Sequence, residues 1–131
     1  MRDIKLSGEA LTTLFNKIGG ESSLERILES FYEKMSQDLL IGFFFTGKDI
    51  RHIAHQQKSF LMKAWGITSS YQGLSPANAH TKLPPILSGH FDRRLVILAE
   101  TLRAFKIDES SIGVWVSFEN KFRAAVQSDE T

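Results

Sequence analysis

Apolar side chains recur every three or four positions along most of this chain, and the gaps between such runs hold residues that start or stop helices. Leu11, Leu14, Phe15 and Ile18 fall on one side of a short helix. Gly19-Gly20 ends it, because glycine tolerates positive φ. The stretch "SSLERILESFYEKMS" opens with Ser22 and Glu25 at capping-box spacing, which predicts a helix start there. Leu24, Ile27, Leu28, Phe31 and Met35 form its apolar stripe, with Tyr32 on the edge. "GFFFTGKD" predicts a bend with three adjacent aromatics, and a third helix runs from Asp49 to about Trp65. Its expected buried face carries Ile50, Ile53, Ala54, Phe60, Leu61 and Ala64. An irregular stretch from Gly66 to about Leu87 precedes two more amphipathic helices. The first presents Phe91, Leu95, Leu98, Leu102 and Phe105; the second presents Ile112, Trp115, Phe122 and Val126. No run alternates at period two. The pattern predicts an all-α domain spanning residues 1–131, with its core at about 11–127.

Several polar residues interrupt this order. At about 100° per residue, Gln57 falls among Ile53, Phe60 and Ala64, in the middle of the expected buried stripe. An unsatisfied buried amide costs about 1–3 kcal/mol, so Gln57 is either a satisfied core residue or a donor kept for something else. Tyr32 is either a packed ring with a wet hydroxyl or a second such donor. His52 and His55 fall opposite the stripe; their spacing could chelate a metal, but no third ligand is evident, and a solvated face is expected. His90 belongs to the start of the next helix, serving packing or the helix end.

His80 is different. It lies in "SPANAHTKLPPILSGHFD", which holds all three prolines. Ser75 and Pro76 read as the N-cap and first residue of a short helix, "PANAHTKL", that would hold His80 on a rigid platform. A structureless segment of this length is uncommon in a compact domain and usually serves a function.

Composition narrows the chemistry. Sixteen basic and fifteen acidic residues leave a formal charge of +1, and no basic run is present, so no nucleic-acid partner is expected. The absence of cysteine excludes disulfides, thiolate metal sites and cysteine catalysis, and suits a reducing cytoplasm. Neither a membrane span nor a secretory leader is legible. Ten phenylalanines fit either an aromatic core or the wall of a flat apolar ligand.

The chain resembles the truncated haemoglobins, most closely group I, from about Leu14 to Val126. The resemblance rests on "LFNKIGGESSLERILESFYEKM", "FFFTGKDI", "HQQKSFLMKAWG", "YQG", "AHTKLPP" and "HFD", in the family's order and near its spacing. It implies a two-over-two helical sandwich around non-covalent haem b. His80 matches the proximal iron ligand, and Tyr32 and Gln57 match the distal pair that stabilises a bound ligand. Phe45 matches the phenylalanine on the haem face, and Ile53 a distal position that is His in many globins. Gln56 stands where some relatives carry a histidine able to ligate iron. Phe60, Phe91 and Leu98 would complete the haem lining. Arg94 falls where the family has an apolar, haem-facing residue; either its long stem carries the charge to a propionate or to solvent, or the register shifts by one.

The resemblance thus implies reversible binding of O₂, NO or CO, slow O₂ release, and conversion of NO to nitrate with an unidentified outside reductase. A haem-based sensor or redox partner without turnover is the alternative. A haem-free helical interaction domain is the third reading, disfavoured by His80, Tyr32 and Gln57 occurring together.

Overall fold

The computed structural model describes residues 7–68 and 85–126. Its elements are α1 (Gly8–Lys17), α2 (Gly20–Ser36), a 3-10 turn (Gly42–Phe45), α3 (Ile50–Ala64), α4 (Ser88–Ala104), α5 (Glu109–Asn120) and a short α6 (Arg123–Val126). No strand occurs among the described residues. α2 packs on α3 and α4, α4 packs on α5, and α1 packs on both α2 and α5. The two pairs, α2 with α3 and α4 with α5, make the expected two-over-two sandwich. The short helix expected around His80 lies outside the described residues, as does most of the irregular stretch that holds it.

Three helices begin where a short polar side chain can satisfy a free backbone N–H. The Ser7 hydroxyl accepts from Ala10 N at 3.1 Å, Asp49 Oδ1 from His52 N at 3.2 Å, and Asp108 Oδ2 from Ser111 N at 3.0 Å. The capping box expected at Ser22 and Glu25 is not formed. α2 starts three residues earlier, at Gly20, capped by Gly19 with φ 108°. That backbone favours glycine, and a Cβ at Gly19 would run into the Ser23 side chain. Glu25 is engaged elsewhere, by Lys58 of α3.

The α2 stripe is realised: Leu24, Ile27, Leu28, Phe31 and Met35 are all buried. Each large apolar side chain removed from water in this way contributes about 1.5–3 kcal/mol. The core continues through Leu98 and Leu102 of α4 and Ile112, Trp115 and Phe118 of α5. The Trp65 and Trp115 rings meet edge to face, 5.0 Å apart, and join the end of α3 to α5. Phe105, expected inside, is exposed because it caps α4 and the chain turns away there.

The turn between α2 and α3 is tight. Gly42 N donates to Asp38 O at 2.9 Å. A Cβ on Gly42 would come within 2.7 Å of the Ser36 carbonyl oxygen, so only glycine fits without a shift. This brings Phe44 into the core and leaves Phe45 half-buried beside Tyr32.

Candidate functional site

The α2 stripe carries one polar residue into the interior. Tyr32 is only 6% exposed, more deeply buried than a stripe edge suggests. Its ring lies tilted on Phe31 at 5.3 Å and edge-on to Phe45 at 5.9 Å. Burial raises the phenol's pKa, Glu119 adds to the rise, and Arg94 offsets part of it. The hydroxyl keeps its proton at neutral pH and remains a hydrogen-bond donor.

α3 faces α2 with a register one step away from the expected one. Its buried line is Ala54, Lys58, Leu61, Met62 and the cap residue Trp65: Ala54 and Leu61 are buried as expected, while Ile53, Phe60 and Ala64 are only half-buried. Gln57 therefore sits on a flank roughly 70° round the helix, half-buried together with Ile53, Phe60 and Ala64. Its side-chain amide has no hydrogen-bond partner among the described residues. The reason for the shift is Lys58, which is 7% exposed. Its aliphatic stem packs with the apolar side chains while Nζ reaches Glu21 Oε2 at 3.1 Å and Glu25 Oε1 at 3.4 Å on α2. Desolvation lowers the ammonium's proton affinity, but the two carboxylates outweigh it and the pKa is raised.

The largest departure from expectation is Arg94. It does not turn out to solvent: the α4 helix aims it inward, with a side chain only 20% exposed. The guanidinium lies 5.0 Å over the Phe31 ring and 5.7 Å from the Tyr32 ring. One nitrogen reaches Glu119 Oε2 at 3.4 Å, and another is 3.7 Å from Met35 Sδ. Glu119, itself buried, accepts from Trp115 Nε1 at 3.2 Å through its other oxygen. Desolvation opposes the arginine's charge, yet the Glu119 carboxylate, by charge and hydrogen bonding, and hydrogen bonding to Tyr32 raise its pKa.

A sequence signal for this cluster existed. Arg94 stands three residues after Phe91 and four before Leu98; Glu119 stands four after Trp115 and seven after Ile112. Both charges fall on buried faces, and opposite charges on two buried faces can be accommodated by pairing.

The histidines separate cleanly. His52 and His55 are exposed, as their position opposite the core face requires. The His55 ring approaches Glu25 at 3.8 Å on the surface. His90 closes the first turn of α4: its Nδ1 accepts from Leu87 N at 3.0 Å, and its ring packs edge-on to Phe43 and Phe44. No cluster of three or more His, Cys, Asp or Glu able to hold a metal occurs among the described residues. His80 lies outside them. Of the other expected lining residues, Phe91 and Leu98 are buried, Phe45, Ile53 and Phe60 half-buried, and Gln56 exposed.

Known proteins share this fold. The model of the bacterial-like globin family matches residues 13–128. The group I truncated haemoglobin of Tetrahymena thermophila is 31% identical over 101 residues, covering 77% of this chain and 83% of that protein. That of Synechocystis is 34% identical over 105 residues, covering 78% and 85%. Among solved structures, the Fe(III) form of the truncated haemoglobin from Tetrahymena pyriformis superposes with a TM-score of 0.79 at 26% identity, over 88% of this chain and 98% of that one. The 2/2 haemoglobin from Synechococcus, solved in the cyanomet state with covalently attached haem, gives 0.77 at 27% identity, over 86% and 96%. The chain belongs to the bacterial-like globins, among the group I truncated haemoglobins.

Proposed function

We propose that this chain binds one haem b non-covalently through His80 and uses it to hold diatomic ligands, with slow release of O₂. The observation that carries this reading is the buried, protonated hydroxyl of Tyr32 on α2, with the amide of Gln57, unpartnered among the described residues, on the packed helix α3. The donor set fits the cofactor: a flat apolar group needs an apolar wall, which Phe45, Ile53 and Phe60 can supply, and a polar ligand on it needs donors. The relatives' haemoglobin names support haem as the cofactor; the haem of the Synechococcus protein is covalently attached, so that structure supports haem itself and not the non-covalent mode.

Haem supplies an iron that takes a diatomic ligand in its open position. This chain supplies the rest. Tyr32 and Gln57 donate to the partial negative charge that O₂ acquires, and such charge-assisted bonds are worth about 1.5–3 kcal/mol each. Ile53 and Phe60 exclude water from that side. Haem held here would also supply the iron chemistry that turns NO and O₂ into nitrate with an outside reductase as electron source, and Tyr32 and Gln57 would hold the O₂ for it. The absence of cysteine excludes a cysteine thioether, and haem held non-covalently, as proposed, should leave on acid-organic extraction. No helix among the described residues is long and apolar enough to cross a membrane, and the work proposed here suits the cytoplasm.

Ultraviolet–visible spectra of the haem-loaded protein in ferric, ferrous and CO-bound forms test the reading. An imidazole-ligated CO spectrum with one haem per chain is expected. A chain that takes up no haem refutes it.

A further inference from the structure

The Arg94–Glu119 pair is costly as a purely structural device. Two charges removed from water regain their hydration only through good geometry, and well-packed apolar residues of the same volume usually serve a core as well or better. Here the pair lies under the one buried hydroxyl that the proposed function uses. The described groups around that hydroxyl bear on its orientation. Phe31 and Phe45 offer ring carbons and hydrogens but no strong acceptor. Arg94 offers only donors, because a guanidinium has five N–H groups and no acceptor. Glu119, the nearby acceptor, already accepts from Arg94 on one oxygen and from Trp115 on the other, and it makes no hydrogen bond to Tyr32 among the described residues.

We infer that Arg94 is a positioning residue for Tyr32: anchored by Glu119, its guanidinium donates to the hydroxyl oxygen, leaving the single hydroxyl proton to donate to a ligand in the pocket. A free tyrosine hydroxyl turns between accepting and donating. One whose oxygen already accepts from a fixed cation has its proton directed away from that cation. The cation also polarises the O–H bond and makes it the stronger donor. Glu119 and Trp115 matter because they hold the guanidinium in place, at the junction of α2, α4 and α5. The inference rests on the proposed role of Tyr32, and it goes beyond it by assigning the strength and direction of that hydrogen bond to a second residue.

The test uses the haem-loaded ferrous protein and two readouts: the infrared stretch of bound CO, which falls as donors approach the ligand, and the O₂ release rate. Wild type is compared with Tyr32→Phe, Arg94→Met, Arg94→Lys and Arg94→Met/Glu119→Gln. The last variant avoids stranding a buried carboxylate and keeps an acceptor for Trp115. The expected result is that Arg94→Met and the double variant both move the CO stretch upward, toward the Tyr32→Phe value. O₂ release should quicken by about fivefold to tenfold, most of one lost charge-assisted bond, and Arg94→Lys should restore part of both. Adding Arg94→Met to Tyr32→Phe should change nothing further. If the Arg94 variants keep wild-type values while Tyr32→Phe shifts both, the inference is overturned and the proposed function stands. If Tyr32→Phe shifts neither, the inference falls together with the distal role of Tyr32.

Discussion

Lys58 donates to Glu21 Oε2 across 3.1 Å from the centre of a helix face that otherwise buries Ala54, Leu61 and Trp65. The two carboxylates it meets are themselves about half exposed, so the pair straddles the surface while the lysine stem belongs to the core. The stem and the charge can be separated. Lys58→Met keeps the apolar volume and lets Glu21 and Glu25 rehydrate, so stability should change by less than about 1 kcal/mol. Lys58→Ala removes the stem and should cost about 2 kcal/mol or more. Urea unfolding at neutral pH distinguishes the two; equal losses would mean that the charge, not the stem, holds α3 on α2.

The distal pair gives a second prediction. Tyr32→Phe keeps the ring contacts with Phe31 and Phe45 and deletes only the hydroxyl. O₂ release from the haem-loaded protein should rise roughly ten- to a hundredfold, the equivalent of one charge-assisted bond. Gln57→Leu should act in the same direction but less, because Gln57 lies on a half-buried flank. Their effects should be non-additive, since each donor can partly replace the other. CO release should change far less, as CO carries little charge. Stopped-flow rates for both single variants and the double that match wild type would remove both residues from the ligand side.

His80→Ala should abolish or severely weaken haem retention and remove the imidazole-ligated CO spectrum. His55→Ala and His52→Ala should leave ferric and ferrous spectra nearly unchanged, because both rings point to solvent. A wild-type low-spin bis-imidazole spectrum that becomes high-spin in His55→Ala would mean that α3 opens far enough to bring that ring to iron.

Acid should weaken a contact between α4 and the end of α2. Asp38 Oδ1 accepts from Arg93 Nη2 at 2.7 Å and from Arg93 Nε at 3.0 Å. That hydrogen bonding holds the carboxyl below its ordinary 3.8, against some desolvation, with the Leu40 and Ile41 amides helping. A carboxyl whose folded pKa is depressed lends stability above its unfolded pKa and loses it as pH falls through the folded value. Asp38→Asn should therefore lower the melting temperature at neutral pH, and the gap to wild type should close below about pH 4. A gap that persists unchanged in strong acid would show that Asp38 acts without its charge.

Much of this fold was legible because helix periodicity and capping chemistry act locally. The buried stripe of α2 and the outward histidines follow from spacing alone. The α2 start was misplaced because Glu25 has two uses, and the one that prevails is a contact with Lys58, distant in sequence. The α3 face was displaced for the same reason. A lysine reads as polar, yet its stem is four methylenes long and its charge can be met by carboxylates on another helix. Arg94 and Glu119 sat in plain periodic positions, but each looks impossible inside a core until the other is placed opposite it. Tyr32 and Gln57 were picked out as polar residues on apolar faces, and the structure separates them by depth: the tyrosine is buried and the glutamine is on the flank.

The tight Ser36–Gly42 approach has a consequence for the order in which this protein is made. It folds α2 back onto α3 over a short span of chain, so their packing closes a small loop and carries a low entropic cost. The α2–α3 hairpin should accordingly be the early folding unit, with α4 and α5 docking afterwards. Both proposed ligand donors, Tyr32 and Gln57, belong to that hairpin, whereas Arg94 and Glu119 belong to the later arrivals. Pulse-labelled hydrogen exchange during refolding should find the amides of 20–64 protected before those of 88–120. The ligand side of the pocket would then be shaped in the nascent chain before a cofactor reaches it, and the direction of its tyrosine proton would be set only when the last helix closes.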